Sequence, residues 1–356
     1  MPYDGHHRRK GMWSKLRFPF ITDVAGLKQY IDTNDDAVFV ALDIEGSPAI
    51  SELAISVLPP SALRRLVSGE KPPADVNDLA AEYRLDTHSF RVNGKHNVTY
   101  NTRYRRSILQ FGELQWVDED ALTEAVTAKL LSLWHHYAAA GPTADGRTPT
   151  RPLVLTGFHA GTEAYYFARG LHPVVQAVPF AAYVDIQDIL VSMSTARGKL
   201  TPSLQLSMRT AGLYLRETTT VEQVAAGQFA DLSRRRQMSH ERRAAGNDVV
   251  CELSLLAHIV AHVLYDDRGS PTAKGRPQPP TNTPVPRPLL DRLRLLVEGM
   301  IKTKPVWPGP TEEETIRNNA IRAHRLLKKQ ARENTVENPD LPRTGMLASH
   351  GERETD

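Results

Sequence analysis

Apolar residues recur along the chain at two different spacings. Ala37 to Leu42 is a short apolar run ending at Asp43, and Glu52 to Leu58 is a second, closed by Pro59 and Pro60. Both predict strands, joined by a turn. His88 to Val92 predicts a third strand, Leu153 to Thr156 a fourth and Tyr183 to Ile186 a fifth. Between them the spacing lengthens: Leu122, Val126, Leu130, Leu133 and Tyr137 mark one face of a helix that Asp118 caps and the loop from Gly141 to Pro152 ends. Glu163 to Ala168 predicts a short helix. Gly246 to Tyr265 predicts a long one, with Val249, Leu253, Leu256, Val260 and Leu264 facing inward. Strands alternating with helices predict an α/β fold, a sheet with helices on its faces.

The pattern changes near Asp266. Ten of the chain's 25 prolines fall between Pro271 and Pro310, so residues 267–310 read as a Pro-rich linker. One short amphipathic segment interrupts it, with Leu289, Leu293, Leu296 and Met300 at helical spacing, equally suited to docking or to lying free. Residues 311–333 predict a basic helix. Thr311 and Glu314 form a capping box, Ile316, Ala320, Ala323 and Leu327 share a face, and Arg325, Lys328, Lys329 and Arg332 crowd the end. Residues 334–356 predict a disordered tail that can serve a protein partner. Residues 1–32 read as an N-terminal extension.

Composition narrows the class of protein. With 356 residues, 40% hydrophobic and 24% charged, the chain is neither collagen-like nor wholly disordered. No run reads as long and apolar enough to span a bilayer, and Met1 to Phe20 lacks the apolar core of a secretory signal. A single cysteine, Cys251, excludes an internal disulfide and a cysteine zinc cluster. Together these predict an intracellular protein, in nucleus or cytoplasm, with no membrane partner. The balance of 44 basic against 41 acidic residues permits nucleic acid without requiring it.

Chemistry collects where strands end and helices begin. Asp43 and Glu45 flank Ile44 at a strand end, and period-two alternation points both carboxylates to one face, where they can hold Mg²⁺ or Mn²⁺. Asp-x-Glu alone describes any polar strand end. What raises it is the sequence that follows: Gly157-Phe158-His159-Ala160-Gly161-Thr162-Glu163 after the fourth strand, Val184-Asp185-Ile186-Gln187 on the fifth, and Ala245-Gly246-Asn247-Asp248 opening the long helix. In the last of these the carboxylate lies by the positive end of the helix dipole.

These pieces, in this order over Ala37 to Tyr265, resemble the DEDD exonucleases of the ribonuclease H-like superfamily. The chain looks most like a fungal branch, the Gfd-type proteins, with its Ala-Gly-Asn-Asp helix start, Phe111-Gly112 and Asp185-Ile186-Gln187. The resemblance implies a ribonuclease H-like domain over 33–266 with a mixed five-stranded sheet flanked by helices. It also implies a two-metal 3′-to-5′ exonuclease on single-stranded nucleic acid, RNA favoured. Asp43 and Glu45 match its first motif, Glu163 the second and Asp248 the third, as metal ligands for Mg²⁺ or Mn²⁺.

Two departures stand out. Glu163 occupies a position where the family offers aspartate. The general base, a histidine five residues or a tyrosine four residues before the last aspartate, is replaced by Arg243 and Ala244. Arginine stays protonated and binds phosphate instead of accepting a proton. His240 and His159 are the substitute bases at hand. Arg236, Arg242 and Arg243 before the long helix, and Arg105 and Arg106 beside Tyr100 and Tyr104, are candidate nucleic-acid contacts. The alternative function is a catalytically inactive adaptor that keeps the fold and binds nucleic acid or ribonucleoprotein partners. Asp185 reads as a structural or peripheral acid, Cys251 as core. His258 and His262 read as helix histidines, because Ile259 stands where a zinc protease needs glutamate.

Overall fold

The computed structural model describes residues 18–46, 49–93, 109–138, 150–159, 161–196, 200–215, 245–265 and 289–300, with scattered positions between 312 and 330. The chain divides into two compact units, residues 1–218 with 230–308, and residues 219–229 with 309–356. In the second unit the described positions from Glu312 to Gln330 are helical and nearly all exposed, Ile316, Leu326 and Leu327 among them. The linker residues 267–288 and the tail 334–356 lie outside the described residues.

The first unit is built on one mixed sheet in the order β1-β7-β6-β2-β3-β4-β5. Its strands are β1 (Phe20–Ile21), β2 (Val38–Glu45), β3 (Glu52–Leu58), β4 (Asp86–Asn93), β5 (Glu113–Asp118), β6 (Leu153–Gly157) and β7 (Phe180–Asp185). β3 runs antiparallel to both β2 and β4, while β6 and β7 continue parallel to β2. The sheet therefore has seven strands where the sequence predicts five. Both unpredicted strands are at its edges. β1 is two residues long, and β5 exposes every residue but Val117, so neither carries the apolar run that identifies an inner strand. Phe20–Ile21, within the stretch read as an extension, pairs with β7, and helix α1 (Val24–Thr33) follows with Leu27 and Ile31 fully buried.

Strand alternation sorts β2 between two cores. Val38, Val40, Leu42 and Ile44 face one side, packed with helix α4 (Leu122–Leu133) through Leu122, Val126 and Leu130. Phe39 and Ala41 face the other, so Asp43 and Glu45 continue that second row. On this second face the positions of β3 and β4 are small, Ala54, Ser56 and Ser89. They form a shallow floor for the long helix α9 (Ala245–Ile259), every residue of which is buried. A helix buried all round needs cover on its far side. That cover comes from α3 (Val76–Glu82) and α8 (Leu204–Ala211), with α10 (Leu289–Val297) packed on α8. The remaining helices are α2 (Pro60–Val67), α5 (Gly161–Phe167), α6 (His172–Ala177) and α7 (Ile186–Ser192).

Several local expectations are corrected. Asp118 ends β5, and the cap position of α4 is Ala121, without a side-chain bond, because the turn after the strand intervenes. Ile186 opens α7, not the fifth predicted strand's end, since Asp185 caps that helix. α9 starts at Ala245 and passes into a π-helical turn at Val260–Leu264. The amphipathic segment inside the linker docks as α10, burying Leu289, Leu293, Leu296 and Val297, whereas Met300 lies beyond the helix end and is exposed. By length and composition, Ala245–Leu264 does reach the size of a membrane span, contrary to the sequence reading. Its apolar surface is spent instead on the sheet and the covering helices.

Candidate metal centre

The start of α9 is fixed against the sheet by three neighbouring residues. Gly246 presses on β4 so closely that a Cβ there would fall 2.3 Å from Ser89 Oγ and 2.3 Å from Leu109 Cδ1. Only glycine fits. Asn247 Oδ1 accepts the backbone N–H of Gln110 at 2.9 Å, tying the helix to the segment that leads into β5. The backbone N–H groups of Ala245 and Gly246 donate to the Glu52 carboxylate, which Arg91 Nε also reaches at 3.0 Å. Glu52 thus satisfies helix-start donors that otherwise have no intrahelical partner. Burial pushes its carboxyl up, against the opposing pull of Arg91.

This anchoring brings Asp248 to the end of β2. Ligand oxygens of Asp43, Glu45 and Asp248 lie within 4.8 Å of one another, Asp43 and Glu45 half-buried and Asp248 buried. Carboxylate oxygens from two elements about 200 residues apart make an all-oxygen donor set able to bind a metal ion. The fourth predicted ligand, Glu163 in the first turn of α5, is 3% exposed and stands beside this trio without joining it. Burial pushes its carboxyl well above the usual range, and Asp43, Asp185 and Glu45 push it further. Its Oε2 has no hydrogen-bond partner among the described residues.

A fifth carboxylate, absent from the sequence reading, is Glu252. It is 2% exposed on α9, one turn beyond Asp248. Burial raises its carboxyl well above the ordinary value, and Asp43, Glu163 and Asp248 add to the rise. The backbone N–H of Phe158 donates to it, while Oε2 has no partner among the described residues. The signal was present in the sequence: a lone acid in an apolar helix, four residues after a candidate ligand and so on its face. Tyr183 completes the surroundings. Its hydroxyl is raised well above the usual range by burial and then by Glu163, Asp185 and Glu252. Gly157 leaves room for it, since a Cβ there would sit 2.6 Å from the Tyr183 oxygen.

The other candidates are placed as follows. Asp185 is buried at the start of α7. Its Oδ1 accepts the backbone N–H groups of Gln187 at 2.9 Å and of Asp188 and His159 at 3.3 Å, capping α7. His159 is exposed with φ of 70°, its Nδ1 3.0 Å from Gln187 Oε1. His240, Arg105, Arg106, Arg236, Arg242 and Arg243 lie outside the described residues. His258 is buried, donates Nδ1–H to the Ser254 carbonyl at 3.1 Å, and stacks on His262. Burial pushes its pKa down to about 3. Cys251 is buried in the core.

Fold and site together define an α/β protein with a carboxylate cluster able to bind a metal ion. No protein-family model matches the chain, and no curated protein matches its sequence.

Proposed function

We propose that this chain is a ribonuclease H-like, DEDD-type phosphodiesterase that shortens single-stranded nucleic acid, RNA favoured, from the 3′ end. The observation that carries the reading is the convergence of Asp43, Glu45 and Asp248 within 4.8 Å at the end of a central strand. Glu163, the family's remaining ligand position, stands next to them with Asp43 as its strongest charged neighbour. The mixed sheet flanked by helices supports the same reading.

Mg²⁺ or Mn²⁺ held by Asp43, Glu45, Glu163 and Asp248 would supply an activated water and stabilise charge on the leaving oxygen. The chain's own residues set the conditions. Half-buried Asp43 and Glu45 form the side of the cluster open to solvent, where a phosphodiester can approach, while Glu163 and Glu252 close its inner side. Arg242 and Arg243 immediately precede α9 in sequence, so they can supply cationic contacts to the phosphates.

The test is degradation of end-labelled single-stranded RNA and DNA by purified protein with Mn²⁺ or Mg²⁺, with Asp43→Ala alongside. Stepwise shortening by the wild type, abolished in the variant, supports the enzyme. Arg243 at the position of the family's general base favours the second reading, a non-catalytic nucleic-acid-binding adaptor. Binding without shortening at every metal and pH would select it.

A further inference from the structure

We propose that Trp116 on β5 is a base-stacking platform, holding one nucleotide of the single strand whose phosphate reaches the Asp43–Glu45–Asp248 cluster. The proposal deepens the nuclease reading above and rests on it. Its basis is strand register. Glu45 pairs with Glu52, Glu52 with Arg91 and Arg91 with Trp116, so the four residues form one row across β2, β3, β4 and β5. Paired residues project to the same face of a sheet. Val92 and Val117, the next pair along, belong to the core on the opposite face, which puts Arg91 and Trp116 on the face of Asp43 and Glu45. At about 4.8 Å per strand the row spans about 14 Å from the cluster to Trp116, a reach of a few nucleotides.

α9 packs on β2, β3 and β4. On β5, beside that cover, Leu114 and Trp116 share the site's face and are 37% and 45% exposed. Trp116 is the one exposed Phe, Tyr or Trp among the described residues. Arg91 Cζ lies over its ring, 6.0 Å from the centroid, and Arg91 Nε holds the Glu52 carboxylate at 3.0 Å, so the indole is braced by a residue tied to the start of α9. β5 itself is fixed at its entry. Asn247, the residue before Asp248, accepts the backbone N–H of Gln110, and Gly112, with φ of 72°, lies where a Cβ would overlap the Thr87 carbonyl. The same helix start therefore positions a cluster ligand and the strand that bears the indole. A rigid, open indole in the row of a metal-binding cluster suits a nucleobase, because every base offers a π-face and stacking holds a strand without choosing its sequence.

Binding of 5′-labelled single-stranded RNA by the full-length chain, read by fluorescence anisotropy in chelator and in Ca²⁺, tests this apart from turnover. Trp116→Ala should weaken binding about fivefold or more, the scale of one base stacked on an aromatic ring, and Trp116→Phe should recover most of that loss. Strands carrying one abasic residue at successive positions from the 3′ end should lose a similar factor at one position in the wild type. At that position they should lose nothing further in Trp116→Ala. Circular dichroism checks that the variants fold. Equal affinities of wild type and Trp116→Ala overturn the platform and leave the nuclease reading standing. A loss without coupling to any base position also overturns it, and makes the Leu114–Trp116 patch a structural or protein-docking surface. Failure of the folded wild type to bind or shorten RNA overturns the platform and the proposed function together.

Discussion

The two ends of α9 bury titratable groups to a similar depth and treat them in opposite ways. At the far end, His258 is neutral, its Nδ1–H is taken up by the Ser254 carbonyl, and His262 stacks against it. At the near end, Glu252 and Asp248 meet Asp43, Glu45 and Glu163, and like charge faces like charge. Burial alone therefore does not mark a site. What separates the two ends is the kind of neighbour: a carbonyl takes up the histidine's N–H, while at the other end carboxylates face one another in a cluster able to bind a metal ion. Asp185 makes the same point within the cluster's own neighbourhood, because three N–H groups turn a buried acid into a helix cap.

The largest expected effect breaks this contrast at the acidic end. Asp43→Ala or Asp248→Ala should lower metal-dependent shortening of labelled RNA by at least about 100-fold, as loss of metal-site residues does. His262→Ala, at the other end of the helix, should leave the rate within about twofold of wild type in the same assay.

Next in size is Gly246→Ala. The added methyl would collide with Ser89 and Leu109, and such overpacking costs about 1–3 kcal/mol. Urea denaturation should show that loss. Mn²⁺ affinity should fall too, because repacking of Ser89 and Leu109 disturbs the start of α9 that carries Asp248.

Proton linkage sharpens the contrast, because the two ends have opposite signs. Glu163 and Glu252 have folded-state pKa values raised above 4.5, so the metal-free native state holds protons that the unfolded chain has released. Their contribution to stability is full below about 4.5 and is lost as pH rises toward the raised values. His258 has its pKa lowered from 6.5 to about 3. The unfolded chain takes up that proton first, so stability is lost as pH falls from 6.5 toward 3. Thermal melts in chelator should show Glu252→Gln flattening the decline at high pH and His258→Asn flattening the decline at low pH. Saturating Mn²⁺ should remove the first slope and leave the second.

The smallest effect belongs to Asp185→Asn. Asparagine caps a helix about as well as aspartate, so stability should change by less than about 0.5 kcal/mol in denaturant titration, with Mn²⁺ binding retained. A loss of Mn²⁺ binding would move Asp185 from the capping class to the ligand class.

Much of this was legible in the sequence, for identifiable reasons. β2, β3 and β6 are buried on both faces, so they appear as apolar runs, and the carboxylates at the end of β2 stand out against them. Asp248 was legible because a helix start punctuated by glycine and asparagine precedes it. β5 was not, because an edge strand with one buried residue has no periodic apolar signature. Glu52 and Glu252 were missed for a related reason. Glu52 opens an apolar strand and Glu252 is a lone acid inside an apolar helix, and the role of each depends on which distant segment lies across from it: Ala245 and Gly246 for Glu52, Phe158 for Glu252. Spacing within one segment cannot show that.

The placement of α9 on a floor supplied by β2, β3 and β4 has a consequence for synthesis. The strands that bear Asp43 and the small residues Ala54, Ser56 and Ser89 are complete about 150 residues before Ala245 is made. At about 5–20 residues per second, the emerging chain must keep that floor uncovered for roughly 8–30 s. Through that interval the carboxylates of β2 have no partner from α9, and the apolar half of the sheet is open to the wrong contacts. Biogenesis of this protein thus turns on α9, which covers the floor and assembles the site in the same step.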